Sequence, residues 1–234
     1  MNDMSELFIV CRGVPISINS PMLVQTSNSP YCFRQKMLGA PKLYLSSGIH
    51  GDETSGPYTL MNLATSDAGM FNGIDTTIFP LLNPWGREHN TRHNANDVDL
   101  NRDFADQKEQ ETRDHLKLVG PYYDLAICFH EASEADGVYI YKPRANKNIP
   151  AMTAMLKAMK EVIPLDSRHG NLEIYPGVMK DDEYKELHET EAIYLANRGL
   201  DAFTVEVPHD LPMDVRQRTL LRGIAEAVRI VTAK

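Results

Sequence analysis

A chain of 234 residues with 42% apolar side chains is sized for one substantial hydrophobic core, or less comfortably for two small ones. Its net charge of −8 and its pI near 5.5, with basic residues scattered along the chain, exclude a surface built to gather phosphates, so neither nucleic acid nor a membrane surface is an expected partner. Three widely spaced cysteines, Cys11, Cys32 and Cys128, fit neither a disulfide framework nor a Cys-based zinc site and read as small interior side chains.

In chain order, the first apolar run is Leu7-Phe8-Ile9-Val10. It follows acidic residues and is too short, and too poor in basic flanks, to be a secretory signal. Nothing later approaches the roughly 20 apolar residues of a membrane span, so the cytoplasm is the expected compartment. Short apolar, partly β-branched runs bounded by turn formers or charge predict strands over 42–46, 76–82, 124–129, 138–141 and 202–207. Between them, helices are predicted over 53–64, 107–119 and 182–198, the last with Asp181 or Asp182 as N-cap and Gly199 as terminator. Two stripes at helical spacing, Met152, Met155, Leu156, Met159 and Ile163, then Leu220, Leu221, Ile224, Val228 and Val231, predict two further core-facing helices.

No internal repeat, low-complexity tract or linker interrupts this alternation, so residues 1–234 are expected to form a single catalytic domain. The expected class is α/β, a three-layer α/β/α sandwich around a mixed, mainly parallel sheet. In such sheets ligands sit beyond the carboxyl ends of the strands. His50 follows the strand ending at Ser46, Asn83 follows Leu82, His130 follows Phe129, and Glu206 ends Phe203-Thr204-Val205. Four polar groups from four strand ends can thus meet on one rim.

In Gly48-Ile49-His50-Gly51-Asp52-Glu53 an imidazole and a carboxylate stand three residues apart across a glycine with wide backbone freedom. His-x-x-Glu alone is weak, since a solvated loop produces it by chance. His130, ending an apolar strand, supplies a third donor. Two histidines and a glutamate offer nitrogen and anionic oxygen at about 2.0–2.2 Å, a set that one Zn2+ ion accepts while keeping a position open. Water attacking a carbonyl also needs a proton acceptor. Glu206 fits that role, because a carboxylate inside Ala202-Phe203-Thr204-Val205-Glu206-Val207 is costly without a partner. His89 and His93 are spaced i, i+4 but sit among Asn90, Asn94 and Asn96 with no adjacent glutamate, and read as rim residues.

The segment from Arg92 through Asp97 and Asp99 to Phe104 holds too much Asn and Asp for a regular element and is expected to be a donor-lined loop. Arg102 can grip a carboxylate with two parallel hydrogen bonds and Asn101 can add another donor. Arg92 can meet the oxygen on which charge develops, worth about 3–4 kcal/mol for one well-placed donor. Asp99 suits the remaining N–H of a ligating histidine. A surface loop of solvated ion pairs is the plain alternative.

These blocks, His50-Gly51-Asp52-Glu53, Asn83-Pro84 with Arg92 to Phe104, Phe129-His130 and Phe203-Thr204-Val205-Glu206, together resemble the M14 family of zinc carboxypeptidases. The wording is most similar to its short bacterial members of the murein peptide amidase type, with Asp97 standing where that loop usually has Gly. The resemblance implies a metallopeptidase with zinc on His50, Glu53 and His130, a carboxylate clamp at Asn101 and Arg102, and Glu206 as general base. The tyrosine that many members carry on a loop before the glutamate has two candidates, Tyr175 and Tyr184.

Two other readings compete. An amidohydrolase similar to aspartoacylase or succinylglutamate desuccinylase shares these motifs but cleaves N-acyl amino acids and adds a β-rich domain after the glutamate. Here 28 residues follow Glu206 with the periodicity of one closing helix, which favours the peptidase. The other is a metal-binding protein without catalysis, against which Glu206 and Arg92 both weigh. In either enzymatic reading the substrate is a small peptide or acyl amino acid with a free carboxylate.

Overall fold

The computed structural model describes residues 6–11, 14–17, 31–66, 68–146, 148–167, 176–180 and 189–233. Their strands are β1 (Glu6–Cys11), β2 (Val14–Ser17), β3 (Tyr31–Lys36), β4 (Lys42–Ser47), β5 (Asp75–Leu81), β6 (Leu125–Ala132), β7 (Tyr139–Lys142), β8 (Val178–Lys180) and β9 (Ala202–Pro208). They join in one mixed sheet ordered β2-β1-β3-β5-β4-β6-β9-β7-β8. The central run β5-β4-β6-β9 is parallel, while β2, β1 and β3 on one flank and β7 on the other attach antiparallel. The parallel strands are those whose apolar runs are readable from the sequence, because burial on both faces selects near-continuous hydrophobic sequence. Flank strands β1 and β3 were not predicted: β3 reads Tyr-Cys-Phe-Arg-Gln-Lys, and its place is set by pairing with β1 and β5 rather than by a pattern of its own.

Side chains alternate across the sheet and divide the core in two. Leu43, Leu45, Ile127, Phe129, Phe203 and Val205 face one layer of helices, α1 (Ser55–Ser66), α4 (Ile149–Met159) and α6 (Met213–Thr232). Tyr44, Ala126, Cys128 and Ala202 face the other, with α5 (Glu191–Asn197) and the turn from Leu118 to Val119 that ends α3 (Gln110–Leu118). Both predicted stripes are core. Met152, Met155, Leu156 and Met159 of α4 are fully covered, as are Leu220, Ile224 and Val231 of α6. Each such side chain contributes about 1.5–3 kcal/mol by leaving water. Cys32 and Cys128 are buried thiols, as expected.

Three helix starts differ from expectation. α1 begins at Ser55 because the Glu53 N–H closes a turn onto the His50 carbonyl at 3.3 Å. α3 begins at Gln110 because Gln107 lies at φ +54, outside right-handed helical space. α5 begins at Glu191 rather than at 182: Thr190 is extended, and its hydroxyl oxygen accepts the Ile193 N–H as the N-cap. Asp181 and Asp182 lie outside the described residues. Gly199, at φ +85, closes the helix as predicted.

Candidate active site

His130 and Glu206 are register partners on the adjacent strands β6 and β9, so both side chains stand on the α5 face at the carboxyl edge of the sheet. β4 ends beside them, and Gly48, at φ +65, turns the chain so that His50 and Glu53 reach the same edge. Gly51 works differently from expectation. It needs no unusual φ; rather, a Cβ there would lie 1.9 Å from the Gly86 backbone carbon, so helix α2 (Pro84–His89) packs directly onto the turn. Asn83 is not part of the cleft. Its amide donates to the Ile49 and His93 carbonyls at 3.3 and 3.1 Å and accepts the Gly86 N–H at 2.8 Å, fixing the loops behind the site.

His50 Nδ1 lies 2.5 Å from Glu53 Oε1 and 3.2 Å from His130 Nδ1, and His130 Nδ1 lies 3.0 Å from Glu53 Oε2. One ligand atom from each residue falls within 4.8 Å of the others, and all three side chains are buried. Among the described residues Glu53 Oε2, buried and 3.0 Å from His130 Nδ1, has no well-directed hydrogen bond, and a cation among these groups would satisfy it. The residues fit a metal ion. Burial alone would lower the His50 imidazole, but the Glu53 charge and the hydrogen bonds that the ring donates to Asp99 and Glu53 outweigh it and lift it to about 9. Glu53 behaves conversely: burial opposes its charge, yet His50 and His130 hold it well below the usual carboxylate range. The field that keeps a proton on this cluster is one that also favours a metal cation. Glu206, next to it, is pushed up to about 8, chiefly by burial, with His130 opposing and Glu53 reinforcing the rise.

Asp99 joins several groups. Its Oδ1 lies 3.2 Å from His50 Nε2 and accepts the Asn101 N–H at 2.9 Å, while Oδ2 accepts Arg92 Nε and Nη2 at 3.1 and 2.9 Å. These bonds hold the Asp99 carboxyl below its ordinary range: burial opposes, but the His50 hydrogen bond and charge, with the Arg92 charge, prevail. Arg92 Nη1 is thereby set 3.2 Å from His50 Nδ1. Leu100–Arg102 form a 3-10 turn capped by Asp99, a more regular element than the loop expected there. Asp97 sits at φ +58, which explains why similar loops favour Gly and why Asp, tolerant of that region, can replace it. Arg92, Asn101, Arg102, His130 and Glu206 line one cleft of about 340 Å³, which Tyr139, the cross-strand neighbour of Glu206, Tyr141 and Ile193 also line. His89 stacks on Trp85 and His93 bonds Asp97 at 2.7 Å, so the two are not brought together. Tyr175 and Tyr184 lie outside the described residues.

Two buried polar knots were missed by sequence reasoning. Beside His130, Glu131 accepts the Ser55 N–H at 2.6 Å, His209 Nδ1 at 2.8 Å and Arg216 Nη1 at 2.6 Å, tying β6 to α1 and α6. Beneath the cleft, Glu191 accepts the Tyr44 hydroxyl and, at 3.0 Å, the Ser46 hydroxyl, and Tyr44 Oη lies 2.7 Å from His115 Nε2. Tyr44 and Ser46 alternate on β4 among apolar neighbours, a faint signal that one face of that strand carries polar atoms.

Burial lowers the His115 pKa, with the Glu191 charge only partly countering. The unfolded imidazole, near 6.5, therefore binds more protons than the folded one as pH falls below that value. Stability from this residue is complete above pH ~6.5 and declines as pH falls toward the folded pKa. Urea unfolding from pH 7.5 to 5.5 should show a smaller acid loss for His115→Gln than for wild type; parallel losses would refute it.

Residues 39–214 match the family described as succinylglutamate desuccinylase/aspartoacylase catalytic domain. Among solved structures, a Shewanella denitrificans protein described as a metallopeptidase superposes with TM-score 0.72 at 19% identity, covering 90% of this chain and 82% of that one. A metallo-carboxypeptidase from Burkholderia cenocepacia superposes with TM-score 0.67 at 16% identity, covering 99% of this chain and 65% of that one. At these identities the likeness is one of fold. Carboxypeptidase SOL1 of Arabidopsis thaliana is 36% identical over 77 residues, a stretch covering 29% of this chain and 16% of that protein. The carboxypeptidase-like expectation for the fold thus holds, while the matching sequence family is that of the acyl-amino-acid reading. The chain belongs to the succinylglutamate desuccinylase/aspartoacylase catalytic-domain family, hydrolases on a zinc carboxypeptidase-like fold.

Proposed function

We propose that this protein hydrolyses an amide bond next to a free carboxylate, in the manner of a zinc metallocarboxypeptidase. The observation that carries the reading is the convergence of His50, Glu53 and His130, one ligand atom of each within 4.8 Å of the others, on a cleft that Glu206, Arg92, Asn101 and Arg102 also line. His50, Glu53 and His130 would hold the zinc ion, which when bound polarises the scissile carbonyl and makes water more acidic. Asn101 and Arg102 bind the substrate carboxylate and so fix the adjacent amide. Arg92, steered by its two bonds to Asp99, donates to the carbonyl oxygen as negative charge grows there. Glu206 removes a proton from the attacking water and passes it to the leaving nitrogen, which departs as a neutral amine. Asp99 keeps His50 oriented through Nε2.

The family match favours a second reading within the same chemistry, an N-acyl amino acid in place of a peptide. Both substrates present a carboxylate beside an amide, so the same clamp serves. Among the described residues no helix is long and apolar enough to cross a membrane. Zinc-loaded protein should be assayed against C-terminal dipeptides, diaminopimelate-containing peptides and N-acetyl amino acids. Cleavage of any class, abolished by chelation and restored by zinc, supports the reading; no cleavage by protein with full zinc occupancy refutes it. With the best substrate, Arg102→Ala should raise KM about tenfold or more, as loss of a charged hydrogen bond predicts. An unchanged KM would remove Arg102 from the clamp.

A further inference from the structure

We propose that Glu191 is a positioning residue for the substrate carboxylate, acting from beneath the cleft through Asn101. The inference rests on the carboxylate-clamp reading above and adds what aims the clamp. The Glu191 backbone N–H donates to Asn101 Oδ1 at 2.9 Å. With that oxygen turned to the start of α5, the donor end of the amide is left for the cleft that Asn101 lines. Asn101 is held from the other side by its backbone bond to Asp99, so both ends of the residue are pinned.

The Glu191 side chain explains why its backbone stands where it does. It is 1% exposed, and its two oxygens accept hydroxyls from Tyr44 and Ser46 on β4, the strand whose end delivers His50. His115 Nε2 backs the Tyr44 hydroxyl, and the Phe79 and Phe104 rings pack nearly perpendicular to the His115 ring. Among the described residues no guanidinium or ammonium meets this carboxylate, only the His115 imidazole at 3.5 Å, and that is an expensive way to fasten a short helix, which an apolar side chain would do better. Its hydroxyl bonds are directional, however, and fix the first residue of α5 against β4. The clamp is thereby registered to the strand that carries the first metal ligand, and Thr190, Ala192 and Ile193 of the cleft wall are fixed with it.

The test is a double-mutant cycle on the panel compound that wild type cleaves fastest. Asn101→Ala should raise KM about tenfold. Glu191→Gln should raise KM at least about fivefold, with kcat within about threefold and zinc content unchanged. Tyr44→Phe, which keeps the ring packing and removes one hydroxyl donor, should move KM in the same direction by a smaller factor. In the Asn101→Ala background, Glu191→Gln should change KM by less than about twofold, because its effect runs through the missing amide. Full additivity in the cycle, or a fall in kcat at unchanged KM, overturns the proposal. If Asn101→Ala raises KM while neither Glu191→Gln nor Tyr44→Phe does, the positioning role alone fails; if Asn101→Ala leaves KM unchanged, the clamp reading fails first.

Discussion

Glu206→Gln should keep its zinc and lose turnover, with kcat falling by about 10²- to 10⁴-fold, the range that a positioned general base supplies. Gln has the shape of Glu and can fill the same place between His130 and Tyr139, its register partners on β6 and β9's other neighbour β7, so packing is conserved. What it lacks is basicity. The Glu206 carboxyl is lifted to about 8 by burial, against the pull of His130. A dication held by His50, Glu53 and His130, as proposed, would add positive charge and lower that value, bringing the group toward neutral pH, where a base is most effective. Metal content by elemental analysis and kcat on the best panel compound decide the matter. Turnover within tenfold of wild type at full zinc occupancy would assign the proton transfer to another group.

The legible part of this site lies where chemistry and local pattern coincide. His130 and Glu206 could be placed because each interrupts an apolar run of a buried parallel strand, and a polar group there announces itself. His50 and Glu53 could be paired because three residues separate them. Their meeting with His130 is a consequence of β4 and β6 pairing in parallel, which strand-end reasoning anticipates without fixing any distance. Partnerships between distant residues were not legible. Glu191 meets Tyr44 across 147 positions and Glu131 meets Arg216 across 85, and nothing near Glu191 in sequence distinguishes it from a solvated helix-start glutamate. Gly51 was read for backbone freedom because that is what glycine offers locally; its real constraint, the backbone of Gly86, comes from an element 35 residues away. The flank strand β3 failed to register for the same reason, being specified by its neighbours more than by its own alternation.

Arg216→Ala should cost about 3–5 kcal/mol of folding stability, the loss expected when one partner of a buried ion pair is removed and the other charge stays inside. The Glu131 and Arg216 side chains are 1% and 10% exposed and meet at 2.6 Å. Without the guanidinium, Glu131 retains the Ser55 N–H and His209, but the latter is 42% exposed and delivers charge only when protonated. Desolvation of the carboxylate then goes largely uncompensated. The stranded charge, rather than lost packing, is the expected cause, and a second variant separates the two. Adding Glu131→Gln to Arg216→Ala removes the charge while leaving the same cavity, so it should recover a substantial share of the loss. Urea unfolding of the zinc-free proteins at one pH measures both, and a loss below about 1 kcal/mol for Arg216→Ala would mean that water reaches the carboxylate. The knot also bears on the metal site, since Glu131 adjoins His130 in the chain and grips Ser55, two residues beyond Glu53. A carboxylate that pulls away from Ser55 to find water would draw the two ligand segments apart, so zinc affinity should fall together with stability in the single variant and return with it in the double.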